Sequence, residues 1–166
     1  MIWIKNTFLL LTLVFVTACG YQLRGNIDLP EGMKNIYLEG GSGQLREGLK
    51  KTLRFSDGNL VARAEDAGII VKVTQEKMRR RVVSLSSTGR ANEYELYYKL
   101  DFILLDVEGK KLSEIQPVEI TRDYFIDQDE ILGKSNEDQT IRDEMYRQAV
   151  QTIVDRSRIV LEKVIK

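Results

Sequence analysis

The sequence contains no histidine and only one cysteine in 166 residues. Without histidine, Ser-His-Asp and Cys-His catalytic arrangements are excluded and a zinc site is disfavoured. A single cysteine also excludes a disulfide within the chain. None of the abundant Ser, Lys and carboxylate residues forms a recognised catalytic spacing. We therefore expect a protein that is not an enzyme, has no metal site and needs no dissociable cofactor.

The chain also lacks an excess of either charge. It has 25 basic and 25 acidic residues, so its formal net charge is zero. Nucleic-acid-binding domains are usually basic, and we expect no nucleic-acid partner. With 43% hydrophobic and 30% charged residues, a chain of this length is typical of one folded domain.

The first 18 residues have the pattern of a signal peptide. Lys5 is the only charged residue there, and the apolar run Phe8–Val16 is too short to span a membrane comfortably. The run leads into Val16-Thr17-Ala18-Cys19, which resembles a lipobox: a branched aliphatic residue, two small residues and a cysteine. A plain secretory signal followed by an incidental cysteine is the alternative.

We expect cleavage before Cys19 and attachment of lipid, including a palmitate-type acyl chain, to this cysteine. The residue after Cys19 is Gly20 and not aspartate. This resembles the sorting signal of Gram-negative lipoproteins that are sent to the outer membrane. The domain organisation predicted from this pattern is a signal peptide over residues 1–18, a lipidated and extended lead-in over 19–32 and one domain over 33–166.

The first part of the domain alternates between strand and helix patterns. Lys34–Glu39 is typical of a short strand. Ser42 can cap a helix that has leucines at positions 45, 49 and 53 on one face, and Asp57-Gly58 can end it.

Strand patterns dominate the middle of the chain. Alternation over Ile69–Thr74 is followed by a longer alternation in which apolar residues share one face: Tyr94, Leu96, Tyr98, Leu100, Phe102 and Leu104. A turn at Asp106–Lys110, with Gly109 at a positive φ, leads into Val118, Ile120, Tyr124 and Ile126. Pro117 indicates an edge strand or a bulge.

A helix pattern fills the last third. Asn136 can cap it with Gln139 at the capping-box position, and Asp129–Leu132 can form an earlier turn of the same helix. Its apolar stripe is Ile141, Met145, Ala149, Ile153, Val160 and Val164. The order β-α-β-β-β-α predicts an α+β two-layer sandwich, with two helices on one face of a four-stranded, mostly antiparallel sheet.

With this order in place, the chain resembles the LptE family of lipopolysaccharide-assembly lipoproteins over its whole length. The start Cys19–Arg24 has Cys, Gly, an aromatic residue, one further residue, Leu and Arg. Gly89 is followed by Glu93-Tyr94 at the opening of the long strand. The match ends with Lys134 and Glu137, then Glu144-Met145-Tyr146 and Ala149.

The resemblance implies a non-enzymatic lipoprotein of the Gram-negative outer membrane. Such a protein plugs the lumen of the LptD β-barrel, assists assembly of the barrel and contacts lipopolysaccharide during its delivery to the outer leaflet. The chain departs from some relatives just before the turn glycine. Ser87 and Thr88 stand where those relatives have a basic residue, and Arg90 follows the glycine instead.

Basic residues are the candidates for lipopolysaccharide binding. On a strand, Lys77, Arg79 and Arg81 share one face, and arginine presents a fork that fits phosphate. Such a charge run can equally protect a sheet edge from aggregation. The polar segment Ser84–Asn92 is either a plain turn or a contact tip. The resulting set of candidates is Arg79, Arg81, Arg90 and Lys134, the last of which can also be an ordinary solvated lysine.

Charged residues opposite the apolar face of the long strand are the candidates for contact with the partner. Lys99 and Asp101 belong to this set, and the tyrosines are better explained by packing than by sugar stacking. The alternative function is a free-standing, periplasm-facing lipoprotein that binds a lipid or another ligand between sheet and helices. A large apolar cavity would favour that alternative.

Overall fold

The computed structural model describes residues 29–125 and 135–164. Within these ranges the chain forms five strands and two helices, with short 3₁₀ turns at Glu31–Met33 and Ala64–Asp66. The elements are β1 (Asn35–Glu39), α1 (Gly43–Arg54), β2 (Asn59–Val61), β3 (Ile69–Leu85), β4 (Ala91–Leu105), β5 (Gln116–Phe125) and α2 (Ser135–Val164).

The strands form one mixed sheet in the order β2-β1-β3-β4-β5. β1 is parallel to β2 and β3, whereas β3–β4 and β4–β5 are antiparallel. The predicted α+β class is confirmed, but the predicted count of four strands is wrong. The additional strand, β2, has three residues, too few for an alternating pattern to show. It is placed by a hydrogen bond that the Asn59 N–H donates to the Lys34 carbonyl (2.7 Å).

Helix α1 follows the predicted pattern. The Ser42 hydroxyl accepts a hydrogen bond from the Leu45 N–H (3.2 Å), which satisfies one free donor of the first turn. Leu45, Leu49 and Leu53 are fully buried beneath the helix. The predicted cap and the predicted buried face are both confirmed.

A tight turn ends α1. The N–H groups of Ser56 and Gly58 both donate to the Leu53 carbonyl, at 2.9 and 2.8 Å. A Cβ at position 58 would lie 2.8 Å from Leu29 Cδ1, so any larger residue there would displace the Leu29 side chain. The first described residue of the chain, Leu29, is thereby packed against this turn.

The inner face of β4 and β5 faces the helices. On β4, every second residue from Leu96 to Leu104 is fully buried, as the alternation predicts. On β5, Val118, Ile120 and Tyr124 are buried opposite them. Pro117 stands on the last strand of the sheet, so its predicted edge position is confirmed.

The joining turn also follows the prediction. Gly109 has the expected positive φ (82°), a backbone conformation that side-chain-bearing residues rarely adopt.

A β-bulge at Thr74 changes the phase of β3. Val73 pairs with Phe102 and Gln75 pairs with Asp101, so Thr74 is the additional residue. Its hydroxyl donates to the Asp101 carbonyl (3.1 Å). Because strand side chains alternate, one extra residue exchanges the two faces beyond this point. Glu76 therefore points inward, whereas Lys77, Arg79 and Arg81 point outward.

The inward Glu76 connects the sheet to α1. Its carboxylate accepts hydrogen bonds from the Ser42 N–H, the Ser42 hydroxyl and the Tyr98 hydroxyl, at 2.5, 2.8 and 2.8 Å. The Tyr146 ring of α2 meets the Tyr98 ring edge-on at 5.1 Å. Burial, together with the nearby Glu76, raises the pKa of Tyr98, which therefore stays a neutral donor.

The sheet narrows towards the β3–β4 turn. β1 pairs with β3 only over Ile69–Lys72. Beyond Lys72, no other strand in the described part of the chain pairs with that edge of β3. The hairpin therefore extends past β1 with one side of β3 open.

Helix α2 covers β4 and β5. It begins at Ser135, one residue before the predicted cap Asn136. The predicted Ile126 and the predicted turn Asp129–Leu132 lie outside the described residues. Met145, Ala149 and Ile153 of the predicted stripe are buried, whereas Ile141 and Val160 are only partly buried. The buried set also includes Val150, Val154, Ser157 and Leu161.

Three polar contacts fix α2 to the edge strand. The Tyr124 hydroxyl donates to the Asp138 carboxylate (2.6 Å). The Arg122 guanidinium donates to the side-chain amide oxygen of Gln148, Oε1 (2.7 Å). Near the other end, the Arg156 guanidinium donates to the Pro117 carbonyl (2.7 Å). The helix is therefore held along the whole length of β5.

We expect the Glu76→Gln variant to be less stable by about 1–3 kcal/mol. The glutamine amide replaces one carboxylate oxygen, which accepts hydrogen bonds, with an NH₂ group that faces the donors of Ser42 and Tyr98. The free energy of unfolding in urea measures this loss. Glu47→Gln, at an exposed position of α1, is the matched control. Equal midpoints for the two variants would show that the Glu76 contacts contribute nothing.

The Asp138 contacts predict an acid-dependent loss of stability. Burial alone raises the pKa of Asp138, but hydrogen bonds from Arg142 and Tyr124 outweigh it and leave the pKa below its ordinary range. A lowered carboxyl pKa contributes stability above the unfolded pKa, and this stability disappears as the pH falls through the folded pKa.

Below about pH 4 the wild-type protein should therefore lose stability more steeply than Asp138→Asn. Urea unfolding at a series of pH values measures both slopes. Asp143→Asn, at an exposed position of the same helix, serves as the control. Identical pH slopes for wild type and Asp138→Asn would contradict the prediction.

Candidate functional site

The outer face of the sheet is open over the hairpin. Both helices contribute to the main core on the inner face. Near the start of β3, the outer face carries a small apolar cluster, in which Ile70, Ile103 and Leu105 pack with Tyr37 and Ala64. Beyond the Thr74 bulge, the outward residues are charged or polar. This open part of β3, β4 and β5 contains most of the predicted site residues.

The predicted partner-contact residues lie in the middle of this face. The Lys99 ammonium contacts Glu119 on β5 (3.2 Å) and Asp101 on its own strand (3.9 Å). The hydrogen bond with Glu119 and the charge of Asp101 raise the pKa of Lys99. Asp101 Oδ1 is buried and has no hydrogen-bond partner among the described residues. Lys99, Glu119 and Asp101 together therefore have two carboxylates for one ammonium group, and the Asp101 Oδ1 atom lacks a hydrogen-bond donor among the described residues.

Arg81 and Arg79 lie further towards the hairpin turn. Arg81 forms a two-point salt bridge with Glu95, with Nε–Oε1 and Nη2–Oε2 distances of 2.6 and 2.9 Å. Arg79 pairs in register with Tyr97, and its guanidinium has no ion-pair partner in the part of the chain that the structure describes. Of these two predicted arginines, only Arg79 is free to take an anion without breaking a salt bridge.

These arginines line a shallow depression. Its volume is about 500 Å³, and its lining is formed by Arg79, Arg80, Arg81, Glu95, Tyr97 and Thr121. The rim therefore combines cations with the half-buried ring of Tyr97. Partial burial, with a hydrogen bond to Glu119, raises the pKa of Tyr97 and keeps its hydroxyl protonated.

The hairpin turn itself is shorter than predicted. It comprises residues 86–90, because β3 continues to Leu85 and β4 starts at Ala91. The backbone of Arg90 is held by Ser86, whereas its exposed guanidinium has no ion-pair partner among the described side chains. Arg90 lies roughly 16 Å along the strand from the level of Arg81, which pairs with Glu95. A large, multiply charged ligand can contact both.

Exposed apolar side chains accompany these cations. Val82, Val83 and Leu85 are 50%, 50% and 63% exposed near the end of β3. Phe125, at the corresponding end of β5, is 61% exposed. The hairpin end therefore offers both cationic and apolar contacts, a combination that suits an amphipathic ligand or partner.

Arg80 is a site residue that the sequence analysis missed. It points to the inner face, where its guanidinium lies 4.9 Å from the centre of the Tyr94 ring. Tyr94 stacks on Tyr124 at 5.6 Å, and Tyr124 donates to Asp138 of α2. This chain of contacts fixes the hairpin relative to the start of α2. The four residues are far apart in sequence. Their contacts could therefore be found only once the strand register was known.

The structure brings Arg79 and Arg81 together and places Arg90 at the adjoining turn. Lys134 and Cys19 lie outside the described residues, so their predicted roles stay predictions. In residues 29–125 and 135–164, no group of three or more acidic or thiol side chains could hold a metal ion. None of the helices there combines the length and the hydropathy that a membrane span requires.

Comparison with known protein families and structures gives a consistent result. The model of the LptE family, described as Lipopolysaccharide-assembly, matches residues 33–157. The LPS-assembly lipoprotein LptE of Pectobacterium atrosepticum is 30% identical over 147 residues, which cover 85% of this chain and 78% of the relative. The corresponding protein of Yersinia pestis is 29% identical over 152 residues, or 89% and 72% of the two chains.

Solved structures share the fold. Uncharacterized lipoprotein B from Nitrosomonas europaea superposes with a TM-score of 0.70 at 26% identity, covering 86% of this chain and 93% of that one. Rare lipoprotein B from Shewanella oneidensis gives 0.64 at 25% identity, covering 80% and 99%. Because the family model spans most of the chain and the relatives align over nearly all of it, the chain belongs to the LptE family of lipopolysaccharide assembly.

Proposed function

We propose that this protein is an outer-membrane lipoprotein of a Gram-negative bacterium that acts in lipopolysaccharide assembly. It plugs the lumen of an LptD-type β-barrel, assists assembly of that barrel and contacts lipopolysaccharide on its way to the outer leaflet. It acts by binding and has no catalytic role. The observation that carries this proposal is the open, charged outer face of the β3–β4–β5 hairpin region, with unpaired Arg79 and Arg90.

Surface chemistry supports the plug. The interior of a large outer-membrane barrel is polar, and a protein inside it needs a polar surface. Lys99, Asp101 and Glu119 supply such a surface on the middle of the sheet. The 15 residues of β4 extend for roughly 50 Å, long enough to follow much of a barrel wall.

The hairpin end supports contact with lipopolysaccharide. Its lipid A headgroup carries phosphates, and guanidinium groups bind phosphate through charge-assisted hydrogen bonds. Arg79 and Arg90 can bind a phosphate without breaking a salt bridge. Arg81 can do so only if its salt bridge with Glu95 is broken. Val82 and Leu85 are exposed at the same end of β3 and offer apolar surface for acyl chains. Lys134 is the fourth candidate.

Lipid on Cys19 is the proposed membrane attachment. Several acyl chains on one residue bind a bilayer almost permanently, since each buried CH₂ contributes about 0.8 kcal/mol. Attachment at the start of the mature chain leaves the α+β domain free to enter a barrel.

The alternative, a free-standing lipid binder, needs an apolar cavity between sheet and helices. That space is occupied by fully buried side chains such as Met33, Tyr98 and Phe102. The depressions at the hairpin and between α1 and α2, about 500 and 480 Å³, open to solvent and are lined mainly by charged and polar residues. These observations favour the plug.

Reversing two free cations tests the lipopolysaccharide contact. The double variant Arg79→Glu/Arg90→Glu should bind lipopolysaccharide about tenfold more weakly or worse, because each replacement removes a charge-assisted hydrogen bond. Titration of labelled lipopolysaccharide at low and physiological salt measures this. Arg147→Glu/Arg158→Glu on α2 has the same change in charge and serves as the control. Equal loss in both double variants would place the binding site elsewhere.

In-cell photocrosslinking tests the plug. A photoreactive residue at position 99 or 101 should capture the barrel, because both side chains lie on the proposed lumenal face. The same residue at Glu65, at the far end of this face, should capture it less. Depletion of the protein should leave the barrel protease-sensitive. Crosslinks only to other periplasmic proteins, or normal barrel assembly after depletion, would contradict the proposal and favour the free-standing binder.

A further inference from the structure

Phe55 is the most exposed large apolar side chain in the described residues, at 81%. It lies in the turn after α1, at the opposite end of the domain from the β3–β4 hairpin turn. Covering this ring would remove a large apolar surface from water, which is favourable. Nothing in the contacts described above uses this residue.

The turn holds Phe55 in its outward position. The Phe55 N–H donates to the Thr52 carbonyl (3.2 Å), and the following N–H groups of Ser56 and Gly58 donate to Leu53. Ser56 is buried behind it. The backbone that carries the ring is therefore held on both sides.

Three cations precede this ring in the chain. Lys50, Lys51 and Arg54 are exposed in the last turns of α1, and none forms an ion pair with a residue that the structure describes. Their charges also interact favourably with the carbonyl end of the helix. Together with Phe55 they combine an aromatic side chain with basic groups, as segments that bind the interface of anionic membranes do. We call these four residues the basic corner.

The position of the basic corner relates it to the proposed lipid anchor. Leu29 packs against Gly58 in the same turn, so the chain enters the domain beside Phe55. Leu29 follows Cys19 by ten residues. A segment of that length reaches at most about 35 Å. A lipid chain on Cys19 therefore keeps the basic corner within reach of the membrane surface.

We propose that the basic corner docks onto the anionic leaflet that holds the lipid anchor, with the Phe55 ring in the headgroup interface and the cations against lipid phosphates. This inference rests on the proposed acylation of Cys19. It orients the domain, since the Phe55 end then faces the membrane surface and the basic hairpin points away from the anchor point. A lipid anchor alone would leave that orientation free.

Tryptophan fluorescence tests the docking. The only native tryptophan is Trp3, within the expected signal peptide, so Phe55→Trp makes a single-tryptophan mature lipoprotein. We expect its emission to shift to shorter wavelength after reconstitution into phosphatidylethanolamine–phosphatidylglycerol vesicles. Nitroxide-labelled lipids should quench it. The added charge reversal Lys50→Glu/Lys51→Glu should reduce both effects.

Glu144→Trp is the control, because Glu144 is exposed on α2, outside both the Phe55 turn and the hairpin end. Its emission should stay accessible to iodide and insensitive to nitroxide lipids. Mass spectrometry of the same sample reports acylation of Cys19 independently.

Each outcome decides between the two proposals. An acylated Phe55→Trp protein whose introduced indole remains water-exposed overturns the docking and leaves the anchor intact, whereas an unmodified Cys19 overturns both. Shielding of that indole only after addition of the barrel partner would identify a protein contact and overturn membrane docking.

Discussion

The extra residue at Thr74 determines how the rest of the domain can be built. Without this bulge, strict alternation from Val71 and Val73 would direct Lys77, Arg79 and Arg81 to the inner face and turn Glu76 away from Ser42 and Tyr98. With it, the same strand contributes apolar residues to the core near its start and cations to the outer face near the turn. A single strand thus serves both packing and the proposed ligand contact.

The same change of phase creates a carboxylate that joins the sheet to helix α1. Glu76 is directed inward, and its acceptor capacity is used by Ser42 and Tyr98. A charge so close to the core is tolerable because donors surround it. The helix N-terminus, the hairpin and, through Tyr146, helix α2 meet at this point. The apolar core elsewhere provides most of the burial, whereas this contact sets where α1 begins relative to β3.

Local patterns predicted the parts of the fold that repeat regularly. The leucines of α1 and the alternation from Leu96 to Leu104 were identified because each keeps a constant period over several turns or residues. The strand β2 and the bulge were not, since three residues and one insertion leave no periodic trace. Of the site, Arg79 and Arg90 could be recognised as basic residues near a turn. The Arg81–Glu95 salt bridge and the role of Arg80 depend on strand register, which the sequence alone does not provide.

The open side of β3 beyond Lys72 has its own consequence. An unpaired strand edge invites pairing with any other extended chain, and rows of cations prevent this by mutual repulsion. Val82, Val83 and Leu85 are exposed near this edge, and the charges of the neighbouring Lys77, Arg79 and Arg81 disfavour pairing of two copies there. On the proposed function, solubility in transit and affinity at the destination therefore depend on the same side chains. A lineage that weakened its basic hairpin would face self-association as well as poorer binding, so selection on either property constrains the other.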